Sequence, residues 1–239
     1  MNRIPRLAAL LALALALFTL QAPAQEAGLH GATDEAAEAA AADATASAEG
    51  EAPAAPERTY ATTTVVLTTP LGEIHVAVET ERAPVTAANF LRYVDAKRFD
   101  GMTFYRAHKV SEDGRYAIVQ GGLQGHSQKV YKPIAHESTL DTGLSHLDGA
   151  ISMAREAPGT ATADFFIVVG DLVSMDGQPG GDPGYAVFGK VVQGMDVVRA
   201  MLELPRSADA RNPVMKGQML AEPVKVTTAR RAPAPAAAP

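Results

Sequence analysis

Alternation of apolar and polar side chains opens the readable part of the chain. Residues 62–69 are β-branched and apolar, and residues 73–79 set Ile74, Val76 and Val78 against Glu73, His75 and Glu79. A strand points successive side chains to opposite faces, so this period of two predicts two half-buried strands. Pro70-Leu71-Gly72 between them is turn chemistry, and the pair reads as a hairpin. Pro84 then opens a helix at a position where its missing N–H costs nothing. Phe90, Leu91 and Val94 supply that helix with an inward face.

Strand patterning resumes over residues 103–110, where Phe104, Arg106 and His108 share one face by the same period. Asp113-Gly114 predicts a tight turn of the primed type, and residues 116–120 return as a second strand. Short apolar strands follow at residues 149–153, 164–169 and 186–191, with a last one at 224–228. Residues 195–202 read as a second, short amphipathic helix. The loop at residues 177–184 holds four glycines and two prolines in eight positions, which excludes regular structure. Many short strands with irregular loops and two helices predict a mainly β domain, a barrel or a sandwich.

Composition narrows where that domain begins and ends. Of the 239 residues, 1–24 read as a signal peptide. Arg3 and Arg6 precede an apolar run from Leu7 to Phe18, and Ala22-Pro23-Ala24 supplies the small-x-small cleavage pattern. The run is too short for a membrane span, which takes roughly 20 residues. Residues 25–59 are dominated by alanine and by the acids Glu26, Asp34, Glu35, Glu38, Asp43, Glu49, Glu51 and Glu57, and predict a disordered linker. Residues 60–231 form the folded domain, and the Ala/Pro tail at 232–239 is unstructured. Most of the net charge of −6 lies in the linker. With no basic stripe in the domain, nucleic acid is excluded as a partner. The absence of cysteine removes disulfides, thiolate catalysis and a lipid anchor at the cleavage point.

Generic catalytic motifs do not hold up. Gly184-x4-Gly189-Lys190 mimics a phosphate loop, but Val191 stands where Ser or Thr would bind magnesium. Six histidines show no metal-ligand spacing, so no metal and no cofactor are expected. His75 and His108 read as solvent-facing strand residues. No G-x-S-x-G elbow exists, and Ser145-His146 falls in an unremarkable loop.

One set of segments does stand out in order and spacing. It comprises Ala83-Pro84-Val85-Thr86-x-x-Asn89-Phe90, Phe104-Tyr105-Arg106, Ile118-Val119-Gln120-Gly121-Gly122 and Gly149-Ala150-Ile151-Ser152-Met153-Ala154-Arg155. Phe165-Phe166-Ile167 and Tyr185-Ala186-Val187-Phe188-Gly189-Lys190-Val191-Val192-x-Gly194-Met195 complete it. Together these resemble the cyclophilins, particularly their exported bacterial branch. The resemblance implies a closed eight-stranded antiparallel barrel capped by two helices. It also implies catalysis of rotation about X–Pro peptide bonds in exported proteins by a monomer, without membrane insertion once the signal is removed.

Resonance opposes that rotation with a barrier of roughly 18–20 kcal/mol. The catalyst has only to favour the twisted state, in which the prolyl nitrogen regains a lone pair. Arg106 matches the family's catalytic arginine, a fixed charge whose N–H groups can reach that nitrogen. From pattern alone it reads first as an ordinary barrel arginine paired with an acid, and the match to the family reverses that. Gln120 matches the family's glutamine that holds the substrate backbone. Ile118, Ala154, Phe166, Met175 and Tyr185 match its proline pocket and groove, although Ile118 and Phe166 also suit plain core packing. Departures from the family pattern temper the expected activity. Ala117 stands in place of a phenylalanine against the prolyl ring, with Tyr116 on the opposite face. Asp164 replaces a substrate-binding glutamine and is expected beside Arg106, with Ala163 replacing a serine. Ser174 stands for an aromatic residue, which predicts weak cyclosporin binding. Tyr185 stands where many members carry histidine, and residues 109–115 look longer than their counterpart. The competing reading is a proline-binding or chaperone-like module with poor turnover.

Overall fold

The computed structural model describes residues 58–124, 128–210 and 212–233. The expected signal peptide, nearly all of the linker and most of the tail lie outside the described residues.

Period two in the sequence becomes strand. β1 (Thr62–Thr69) and β2 (Gly72–Glu79) pair antiparallel around the expected turn, with Val65 and Leu67 opposite Val76 and Ile74. All four are fully buried. α1 (Pro84–Asp95) starts at its proline, and its first free N–H groups are satisfied from afar. The Glu137 carboxylate accepts from Val85 N at 3.0 Å and Thr86 N at 2.7 Å. An acidic group there also suits the positive end of the helix dipole. Phe90 drives the helix into the sheet, its ring 5.3 Å from Phe99, 5.4 Å from Phe165 and 5.2 Å from Phe188. Burying such a side chain stabilises by about 1.5–3 kcal/mol.

β3 (Thr103–Lys109), β4 (Ala117–Gly122), β5 (Ala150–Met153), β6 (Phe165–Val169) and β7 (Val187–Gln193) follow, with α2 (Thr139–Thr142) as a single turn before β5. α3 (Met195–Met201) buries Val197, Val198 and Met201. The β3–β4 connection is not a two-residue primed turn. Gly114 N donates to Ser111 O at 3.0 Å, and within this loop only Gly114 is left-handed (φ 71).

The closed eight-stranded barrel is corrected. The structure has one curled nine-stranded sheet in the open order β8-β3-β4-β6-β5-β7-β2-β1-β9, where β8 is Met219–Lys225 and β9 is Thr228–Arg231. The expected last strand at 224–228 takes in the end of β8 and the start of β9, with the break at Val226 and Thr227. Val226 donates to Met102 O and Thr227 to Thr68 O, each at 2.8 Å. The connecting residues therefore bond to opposite edges of the sheet. Two strands joined this way run on from each other and cannot pair, so the ladder stays open between them. The concave face holds the core, from Val65 and Phe104 through Phe165 and Phe188 to Ala229.

Candidate active site

Opposed residues on paired strands share a face, so register locates the site. Arg106 lies opposite Gln120, Gln120 opposite Phe166, and Phe166 opposite Ser152. This row crosses β3, β4, β6 and β5 on the convex side of the sheet. The expected common face of Phe104, Arg106 and His108 is corrected by a β-bulge. Phe104 opposes Gly121 and Arg106 opposes Gln120, so Tyr105 is an extra residue without a partner in that ladder. The insertion reverses the pleat. Phe104 enters the core and is fully buried, while Arg106 and His108 emerge on the outer face, half-buried.

A chain of polar contacts holds the row at its β3 end. Arg106 Nη1 donates to Gln120 Oε1 at 2.8 Å, and Gln120 Nε2 donates to the Tyr105 hydroxyl at 2.8 Å. Arg106 Nε and Nη2 both donate to Gln218 Oε1, at 2.8 and 2.6 Å. Burial, and then the charge of Asp164, push the Tyr105 hydroxyl well above its ordinary range, so it stays protonated and available to Gln120. Burial draws the Arg106 guanidinium down, yet arginine remains charged in proteins.

Beside this polar chain lies an apolar floor distinct from the interior core. Ile118, Phe166, Val168 and Val187 form it with Ala150 and Leu172, and Ala154, Met175 and Tyr185 pack against it. The sequence left core packing open for Ile118 and Phe166, and both are buried in this second apolar cluster. Tyr185 meets Phe166 edge-on at 5.5 Å and 87°. Its ring is backed by Arg155, whose guanidinium carbon is 4.8 Å from the centroid. Arg155 Nη2 in turn donates to Gly184 O at 2.5 Å and Asp182 Oδ1 at 2.9 Å. Tyr185 N donates to Met175 O at 3.1 Å, tying the two groove residues together.

Support for the floor comes from His146, which lies in a loop as the sequence suggested. It is fully buried, stacked at 6.0 Å and 10° against Phe166. Its Nδ1 lies 2.5 Å from Asp176 Oδ1 and its Nε2 3.0 Å from Ser152 Oγ. Ser145 Oγ also donates to Asp176. Serine, histidine and aspartate stand in the order of a hydrolytic triad, but Ser152 and His146 are both fully buried beneath the floor, so no substrate reaches them. The trio instead ties β5 to the segment carrying Met175. Burial holds His146 below its ordinary value, against the opposing pull of Asp176. An unfolded histidine takes its proton near pH 6.5, before the buried one does. This contribution to stability is therefore complete above about pH 6.5 and declines as pH falls below it. In an NMR titration, His146 ring resonances should stay in the neutral form from pH 8 to below 6.5; a midpoint at or above 6.5 contradicts this account.

One expected departure falls elsewhere. Ala117 is fully buried in the interior core, one residue out of phase with Ile118, so it is not a wall of the floor. Tyr116 is 39% exposed. Asp164 accepts from Gln124 N at 2.8 Å, and the Arg106 guanidinium donates to two glutamines. Ser174 is exposed. Gln218 was missed by sequence reading, and with Arg106 112 positions away no local pattern signals it. Tyr105 lay inside a quoted motif, but only the bulge reveals its role.

The family model described as cyclophilin type peptidyl-prolyl cis-trans isomerase/CLD matches residues 64–229. Peptidyl-prolyl cis-trans isomerase A of Dickeya dadantii is 41% identical over 140 residues, covering 56% of this chain and 68% of that protein. The peptidyl-prolyl cis-trans isomerase of Acinetobacter baylyi is 34% identical over 148 residues, covering 62% and 76%. Peptidyl-prolyl cis-trans isomerase B of Escherichia coli is 37% identical over 132 residues, covering 53% and 76%. A crystal structure of a Cryptosporidium parvum cyclophilin type isomerase superposes with a TM-score of 0.54 at 17% identity, covering 73% of this chain and 100% of that one, which supports the fold. With its family match spanning most of the chain and an arginine–glutamine pair beside an apolar floor, this protein belongs to the cyclophilin-type peptidyl-prolyl cis-trans isomerases.

Proposed function

We propose that this isomerase accelerates X–Pro rotation in proline-containing segments of exported proteins, working as a monomer in the periplasm after removal of residues 1–24. The observation that carries the site assignment is the half-buried Arg106, bracketed by Gln120 and Gln218 next to the floor of Ile118 and Phe166. The prolyl ring is assigned to that floor, with Ala154, Met175 and Tyr185 along the groove. A guanidinium has five N–H groups. Three of those on Arg106 are engaged by the two glutamines, which leaves two to donate outward.

In the planar ground state the prolyl nitrogen is conjugated and accepts poorly. In the twisted state its lone pair is localised, and an N–H aimed there binds the transition state more tightly than the substrate. No proton leaves, and no covalent bond forms or breaks. The Gln120 amide retains one N–H and a carbonyl lone pair for the substrate backbone. Asp164 is assigned to the substrate-facing rim, where it replaces a neutral amide with a charge.

Export is supported by the basic, apolar and small-x-small succession within residues 1–24 and by the absence of cysteine. The second reading, a proline-binding module with poor turnover, draws on Asp164; the inward position of Ala117 removes its other support. Both readings meet one experiment, in which residues 25–239 are timed on a cis-proline peptide. Acceleration above the spontaneous rate is expected, whereas folded protein that binds the peptide without acceleration favours the second reading. N-terminal sequencing of periplasmic protein should start at Gln25, and retention in the cytoplasm with Met1 intact overturns the export proposal.

A further inference from the structure

We propose that Gln218 is a positioning residue, setting the direction in which Arg106 offers its free N–H groups to the substrate. This rests on the reading of the site as a prolyl isomerase and goes beyond it by giving Gln218 a part in turnover. Gln218 sits just before β8, three residues after the 3-10 turn formed by Pro213–Met215. Its Oε1 takes the two N–H groups along one side of the guanidinium, from Nε at 2.8 Å and Nη2 at 2.6 Å. Two bonds into one oxygen fix both the plane and the rotation of a flat group, which a single bond would leave free to swing. Gln120 closes the bracket at Nη1, 2.8 Å away.

The amide is itself held. Gln218 Nε2 donates to Val214 O at 3.0 Å, which agrees with its oxygen facing an arginine that has only donors to give. Its backbone carbonyl accepts from Ala107 N at 2.9 Å, immediately after Arg106, and its own N–H donates to Met215 O at 3.0 Å. Asn212 caps the turn by accepting from Val214 N at 3.0 Å. The segment thus grips β3 by backbone and side chain at the bulge that turns Arg106 outward. The chemistry of the acceptor fits the task. A carboxylate would orient the guanidinium and also neutralise it, whereas a neutral amide orients it and leaves the positive charge for the prolyl nitrogen.

The test begins with full isomerisation kinetics of the wild-type protein on a proline peptide; no acceleration there would refute the isomerase reading itself. Gln218→Met, of similar size without an acceptor, is expected to lower kcat about tenfold with KM within twofold, because the floor that binds the prolyl ring is untouched. Gln218→Glu, which keeps the acceptor, should recover kcat above the methionine variant. Unchanged kcat in Gln218→Met, or a fall carried by KM alone, overturns the proposal. A measurement on the wild type covers the event that the methionine variant does not fold. The Arg106 Nε–H should give a resolved, slowly exchanging NMR resonance, and an averaged, rapidly exchanging signal would show a guanidinium that nothing holds.

Discussion

Arg106→Ala should lower kcat/KM for X–Pro isomerisation by roughly 10²–10³-fold, the usual cost of removing one preorganised transition-state donor. Most of the loss should fall on kcat. The apolar floor of Ile118 and Phe166 remains, and it binds the ring equally in the planar and twisted states. Stability should change little, because Arg106 is only half-buried and its bonds go to two neutral amides that water can satisfy. Isomerisation kinetics over a range of peptide concentrations, with thermal unfolding alongside, separate these effects. A variant that keeps more than half the wild-type kcat would move the transition-state donor to another group.

A large effect on stability is expected at Gly122, where β4 ends. Its φ of 137 lies where only glycine is at ease. A Cβ added there would stand 2.6 Å from Asp164 Cα and 2.8 Å from Ala163 O, and closer still to an Asp164 carboxylate oxygen. Backbone atoms of β6's leading segment cannot swing aside like a lysine tip. Gly122→Ala should therefore lose roughly 2–5 kcal/mol, strain and overpacking together. Gly159 is the internal control, with φ 80 and nothing within 4 Å of an added Cβ, so Gly159→Ala carries conformational cost alone, about 1 kcal/mol. Denaturant midpoints of the two variants give the comparison, and equal losses would mean that the close approach of the two strands contributes nothing.

Local periodicity made much of the fold legible. The alternation through Val65, Leu67, Ile74, Val76 and Val78 located β1 and β2, because each residue's environment follows from its parity along the strand. Pro84 located the start of α1 because its constraint is local as well. The Tyr105 bulge escaped for the complementary reason. Whether two residues oppose one depends on how many the partner strand supplies, and Gln120 followed directly by Gly121 says nothing of this until paired. That one insertion reverses the faces of Phe104 and Arg106. The split into β8 and β9 is similar, since Val226 and Thr227 choose different partners, Met102 and Thr68, that lie far back in the chain.

The sequence by itself located the strands, the turns and the start of the first helix, and its resemblance to the cyclophilins implied that Arg106 and Gln120 share a site with Ile118, Phe166, Ala154, Met175 and Tyr185. Only the tertiary structure decided that these line an outer floor separate from the core, that Ala117 faces inward, and that His146 is buried beneath Phe166. It also decided that Arg106 is held by Gln218. The division follows from range. Alternation, turns and helix starts are set by neighbours a few positions away, whereas the direction of a side chain and the partner of a buried polar group are set by segments that meet only when the sheet has curled.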